Sequence, residues 1–211
     1  MAKLKIYTFP DTVLAKTAAP IARVEKSFFK VADDMLETMY CAPGVGLAAN
    51  QVGILQRIIV IDVEYEFEQP SGGEGGTQTD GNPTATKIIT HKKPIILINP
   101  EIIHKEGVIE FSEGCLSVPD FTAEVKRSEK LKVQYKDVDG VSRTLDADGL
   151  LAVAIQHEID HLNGKLFIDR LTPLKKEFVK KRLRQERAER EADGITEEEL
   201  RLLKPKKDKG F

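Results

Sequence analysis

Apolar residues recur along this chain in several rhythms, and each rhythm predicts a different element. The first ten residues alternate polar and apolar and read as an extended segment, which Pro10-Asp11 breaks and Pro20 breaks again. Over 25–40 the spacing becomes three and four, through Phe28, Val31, Ala32, Met35, Leu36 and Met39, which predicts a helix with one buried face. The run Arg-Ile-Ile-Val-Ile-Asp-Val at 57–63 is β-branched without alternation, as in a strand covered on both faces. Strand character returns at 95–98, 101–104, 124–125, 130–135 and 142–146, the last two joined by a tight turn at Asp139-Gly140. Over 150–162 the apolar residues go almost all round, as expected of a helix inside a core, with Asp148 placed to cap it. Beyond it, Leu174, Phe178, Val179 and Leu183 predict a lightly docked helix with one narrow apolar stripe. Asp193-Gly194 ends that helix, and Thr196 with Glu199 is positioned to cap a short one after it.

These elements add up to an α+β fold: mostly antiparallel strands packed around a central helix, followed by a C-terminal helix. The expected division is a main domain over 1–172 and a charged helical extension over 173–211. One stretch fits no element. Between 66 and 93 the chain is rich in Gly, Pro, Thr and Asp, buries too little apolar surface to offset its ordering entropy, and predicts a loop inserted in the main domain.

Composition narrows the classes. A length of 211 residues suits one substantial core, and a net charge of −2 exerts no global pull on DNA or acidic lipid. No apolar run is long enough to span a membrane, and no signal-peptide core opens the chain. The two cysteines, Cys41 and Cys115, make a disulfide scaffold improbable. The expected location is the cytoplasm, with neither a membrane nor DNA as partner.

The chemistry concentrates in the apolar helix, where His157-Glu158-Ile159-Asp160-His161 has the pattern H-E-x-x-H. Residues four apart share a helix face, so both imidazoles can grip one metal ion while Glu158 takes a proton from a water beside it. A third ligand is needed. Downstream, the position of a further histidine in one extended zinc-protease pattern is Phe167, and Glu177 and Glu186 lie in a basic run that reads as a solvated face. Upstream, His91 stands in a Gly/Thr/Lys-rich segment and His104 in ordinary alternation. Cys115 follows a glycine that permits close backbone approach, and a thiolate with two imidazoles leaves a fourth position open for catalysis.

Three blocks, Gly44-Val45-Gly46-Leu47-Ala48-Ala49-Asn50-Gln51, Glu113-Gly114-Cys115-Leu116-Ser117 and Gln156-His157-Glu158-Ile159-Asp160-His161, occur in that order. With them the chain resembles the peptide deformylases over 6–170. The resemblance implies hydrolysis of the N-formyl group on the initiator methionine of nascent chains, with release of formate. It also implies Cys115, His157 and His161 as metal ligands, Glu158 as acid and base, and Gln51 with the Leu116 N–H as donors to the formyl oxygen. Gly44, Val45, Gly46, Glu113, Gly114, Val153 and Ala154 are the expected substrate contacts, and Fe2+ the working metal, with Zn2+ or Ni2+ also suited to such donors. One departure stands out: many members carry an arginine where this chain has Thr122.

Two other readings belong beside this one. A different amidase or a small endopeptidase would use the same metal ligands. A ribosome- or RNA-binding module is suggested by eight Lys or Arg residues between 175 and 190, although that reading leaves the three blocks unexplained. Within the deformylase reading, the same basic helix becomes a candidate contact to the ribosome.

Overall fold

The computed structural model describes residues 3–25, 27–68 and 88–194. In chain order they form helix α1 (Ser27–Cys41), strands β1 (Gly46–Ala48), β2 (Ile58–Ile61), β3 (Glu66–Glu68), β4 (Ile88–Thr90), β5 (Ile95–Glu106), β6 (Ile109–Cys115), β7 (Val118–Arg127), β8 (Lys130–Lys136) and β9 (Ser142–Asp148), then helices α2 (Gly149–Leu162) and α3 (Pro173–Ala192). A 3-10 turn, Phe167–Arg170, separates the last two helices. Every strand pair is antiparallel. The fold is α+β, as the rhythms predict.

Strand β2 explains the layering. It lies between β1 and β5 in a five-stranded sheet of order β1-β2-β5-β8-β9, and all four of its residues are buried. Because side chains alternate, Ile58 and Val60 point to one face and pack with Met35 and Met39 of α1. Ile59 and Ile61 point to the other and join Ala154, Ile155, Ile159 and Leu162 of α2. The sheet is thus clad by a helix on each side, which is why this strand lacks polar alternation. A second unit, the β6–β7 hairpin, forms a smaller core with Phe167, Ile168, Val179 and Leu183.

Several expectations need correction. The two short strands expected at 95–98 and 101–104 are one strand, β5, with a bulge at Asn99-Pro100. Asn99 has φ of 51° there, and its side chain both accepts from the Ile21 N–H and donates to the Ile21 carbonyl. Only 69–87 of the expected loop falls outside the described residues; its ends are tied as β3 and β4, Glu66 opposite Thr90. Asp148 occupies the position before α2 but caps nothing with its side chain, since it is still paired in β9 opposite Lys130.

The apolar stripe expected on α3 is split. Pro173, whose missing N–H costs nothing at a helix start, opens the helix, and Val179 and Leu183 are buried against the body. Leu174 and Phe178 instead lie 84% and 69% exposed. The helix ends at Asp193-Gly194 as expected, while Thr196 and Glu199 lie outside the described residues. Among the described residues, no helix is long and apolar enough to cross a membrane.

Candidate metal centre

Cys115, His157 and His161 bring one ligand atom each to a cluster in which all three lie within 4.8 Å of one another. Cys115 ends β6 at the mouth of the hairpin, and the two histidines share the inward face of α2, their ring centroids 5.0 Å apart. The thiol sulfur lies 3.1 Å from His161 Nε2. A soft sulfur with two imidazoles suits a divalent transition metal, and three protein ligands leave a coordination position open. Cys41 is exposed at the end of α1, its sulfur 3.6 Å from Glu37, and takes no part. His91 and His104 are exposed elsewhere.

A cavity of about 10 Å³, roughly the room of one water, opens beside the cluster. Its walls come from all three sequence blocks: Gly44, Val45, Gly46 and Gln51; Gly114, Cys115 and Leu116; His157 and Glu158. Gly46 is there because of Glu158. A Cβ on Gly46 would fall 2.5 Å from Glu158 Oε1, so only glycine lets the first block close over the carboxylate. A Cβ on Gly44 would meet the Leu116 side chain at 2.7 Å. The loop is pinned from behind, where the Tyr65 hydroxyl donates to the Gly44 carbonyl and the Asp62 N–H to that of Val45. Gln51 is locked as well: its Oε1 accepts from the Ala48 N–H at 2.7 Å, and its Nε2 donates to Ser117 Oγ at 3.2 Å and faces the Cys115 sulfur at 3.6 Å.

Glu158 is buried and its Oε2 has no hydrogen-bond partner among the described residues. Burial pushes its pKa up to about 7, nearby His157 pulls it down, and Glu113 adds to the rise. A carboxyl near 7 is suited to accept and return a proton at neutral pH.

Glu113, expected as a substrate contact, is placed behind His157 and is not among the residues lining the cavity. It is fully buried, with Oε1 accepting from Arg127 Nε at 2.5 Å and Oε2 from Arg127 Nη2 and His157 Nδ1, each at 2.8 Å. With Nδ1 committed to Glu113, it is Nε2 of His157 that remains for a cation, the arrangement that orients a metal-binding imidazole. Arg127 in turn donates through Nη1 to Asp160 Oδ2 at 2.6 Å. Burial raises the pKa values of Glu113 and Asp160, but the arginines, with His157 on Glu113, outweigh it and hold both carboxyls below their ordinary range. Burial favours the neutral form of both histidines. His161 stays well below the usual imidazole range, whereas the Cys115 sulfur with Glu113 and Glu158 raises His157, whose Nε2 proton a bound cation would displace.

Val153 and Ala154 are fully buried in α2 and are not among the cavity's lining residues. Thr122 is exposed on β7. Asn50, for which the sequence offers no role, donates to the Lys16 carbonyl at 2.6 Å and fixes the turn that carries Gln51. The roles of Asp160 and Ser117 escape a reading of the sequence, since their partners Arg127 and Gln51 lie 33 and 66 residues away. Arg127 also escapes it, although one signal is present: a lone arginine in the alternating apolar run of β7 at an inward position.

Comparison with known proteins accounts for the coincidence of the three blocks. Residues 3–177 match the family model described as polypeptide deformylase. A peptide deformylase of Alkalilimnicola ehrlichii is 43% identical over 183 residues, 87% of this chain and 90% of that protein. One of Agrobacterium fabrum is 45% identical over 174 residues, 82% and 89% respectively. The crystal structure of a peptide deformylase from Legionella pneumophila superposes with a TM-score of 0.72 at 37% identity, covering 97% of this chain and all of that one.

Proposed function

The chain belongs to the polypeptide deformylase family, and on that premise we propose that it removes the N-formyl group from the initiator methionine of newly made polypeptides, releasing formate. The observation that carries this is the convergence of Cys115, His157 and His161 within 4.8 Å beside a buried carboxyl poised near neutrality. Cys115, His157 and His161 would hold the metal, with Fe2+ the expected working ion and Zn2+ or Ni2+ also suited to the same donors. When bound, a divalent cation supplies a Lewis acid that acidifies water and polarises the formyl carbonyl.

The protein's own groups do the rest. Glu158 takes a proton from the attacking water as its oxygen bonds to the formyl carbon, and returns that proton to nitrogen as the C–N bond breaks. Products are formate and a free amino terminus. Gln51 Nε2 and the Leu116 N–H donate to the oxygen on which negative charge develops. The substrate backbone adds along Gly44, Val45 and Gly46, the segment that leads into edge strand β1, with Gly114 opposite. Val153 and Ala154, one turn before His157, back the methionine side chain. Thr122 offers no guanidinium, so hold on the peptide beyond its first residue is weaker than in members with arginine there.

We assign the catalytic unit to 1–172 and treat 173–211 as an extension whose helix can meet the ribosome. Much of its basic charge is turned inward: Lys176 and Lys180 pair with Asp169, Arg187 with Asp11, and Arg184 stacks over Phe9. Lys175 and Lys181 face solvent. Charge reversal at these two tests ribosome contact better than truncation after Thr172, which would strip Val179 and Leu183 from the core. Loss of cosedimentation at low salt is the expected result.

Formate release decides the main proposal. Formyl-Met peptides should be hydrolysed and acetyl-Met peptides left intact; equal turnover of both would point to a general amidase.

A further inference from the structure

The chain of buried contacts behind His157 does not stop at Arg127. Asp160, on α2 between the two histidines, also receives Arg170: Nε reaches Oδ2 at 2.5 Å and Nη2 reaches Oδ1 at 2.6 Å. The sequence of contacts is therefore Arg170, Asp160, Arg127, Glu113 and His157 Nδ1. Two acids and two bases balance. With His157 neutral, as a metal-binding imidazole is, the buried remainder without Arg170 carries a net negative charge, and Arg127 is drawn toward Asp160 at the expense of the fork that fixes Glu113.

A second contact runs from the same turn. Phe167, three residues before Arg170, is fully buried and stacks on the His157 ring, centroids 6.0 Å apart and planes 24° apart. Phe167–Arg170 thus bears on His157 through the ring face and, by way of the ion pairs, through its outer nitrogen. The turn is itself fastened by Asp169, which accepts from the Leu166 N–H at 3.0 Å and from Lys176 and Lys180 of α3. His161 has no matching support, since its Nδ1 is buried without a partner among the described residues.

We propose that Arg170 is a positioning residue for His157, holding the metal-facing imidazole through Asp160, Arg127 and Glu113 although it touches no ligand atom itself. The inference rests on the assignment of Cys115, His157 and His161 as the metal site. Arg170 is 41% exposed, so its replacement opens no apolar core. Groups that orient a metal-bound histidine typically change metal affinity about tenfold to a hundredfold, and this more distant one belongs near the lower figure.

The test uses the full chain loaded with Co2+, comparing wild type with Arg170→Ala, Arg170→Lys, Arg182→Ala and Cys115→Ser. Two readouts are taken: retention of Co2+ against a competing chelator, and the visible absorption of the bound ion. Arg170→Ala should hold Co2+ about tenfold less tightly with shifted bands. Arg170→Lys, which keeps a cation on Asp160, should fall between it and wild type, and Arg182→Ala should match wild type. Arg170→Ala equal to wild type in both readouts overturns the proposal, as does an equal loss in Arg182→Ala, which would mean a general loosening. Should Arg170→Ala fail to fold, Arg170→Lys indistinguishable from wild type overturns it instead. A wild type that binds Co2+ no better than Cys115→Ser overturns the metal site itself, an outcome separate from the other failures.

Discussion

Helices α2 and α3 handle charge in opposite ways. Helix α2 buries two histidines, a glutamate and an aspartate, and both histidines and the aspartate meet a partner from another element or a ligand atom of the cluster. Glu158 keeps an oxygen unpaired among the described residues. Helix α3 carries far more charge, but places it in exposed pairs one turn apart, such as Arg182 with Glu186, or in tethers to Asp169. A buried charge must be paired, so its place is set to a fraction of an ångström; an exposed one is satisfied by water and contributes little. The first arrangement suits chemistry, the second docking.

The α2 side offers the larger tests of that contrast. Cys115→Ser should lose stoichiometric metal and with it activity, while Cys41→Ser keeps both, as metal analysis of the two purified variants will show. Glu158→Gln should keep the metal and lose about a hundredfold to ten-thousandfold in turnover, because the amide preserves shape but accepts no proton. Near-normal turnover with metal bound would place the base elsewhere. Arg127→Met removes the cation shared by two buried carboxylates, leaving Glu113 only His157 and Asp160 only Arg170, and should cost about 3–5 kcal/mol of stability, measurable by denaturant unfolding.

On the α3 side the effects shrink. Arg182→Ala should change stability by less than about 1 kcal/mol in the same assay. Asp169 gives a pH signature. Burial works against its charge, but the Leu166 N–H, Lys180 and Lys176 outweigh this and lower its pKa to about 2. A depressed carboxyl stabilises the fold above its unfolded value, so this contribution should fade as pH drops from about 4 toward about 2. Unfolding curves of Asp169→Asn should lack that component; an identical acid limb in both proteins would show that α3 is not tethered there.

Much of the site is legible in the sequence because its signals are local. The spacing of His157 and His161 puts them on one helix face in any fold that keeps the helix, and Gly114, the glycine before Cys115, lines the cavity. Glu113 is harder to read: it lies two residues before Cys115 across an irregularity in the β6–β7 pairing, and its partners Arg127 and His157 are 14 and 44 residues away. The stripe on α3 misleads because periodicity shows which residues share a face but not how much of that face the body covers. Strand β5 reads as two at Asn99-Pro100 because its continuity depends on Asn99 bonding to Ile21, 78 residues away.

Helix period, strand alternation and turn chemistry act over a few residues, and they suffice for the elements, the α+β class, the H-E-x-x-H pair and the three blocks that mark the family. They do not reach the requirement that Gly46 be bare to admit Glu158, the service of Glu113 to His157, or the sharing of Asp160 by Arg127 and Arg170. Apart from Asp160 with Arg170, ten residues on but beyond the end of α2, those pairings join residues distant along the chain. What selects them is the cost of an unpaired charge inside a core, and which partner lies within reach is decided only when the chain has closed around it.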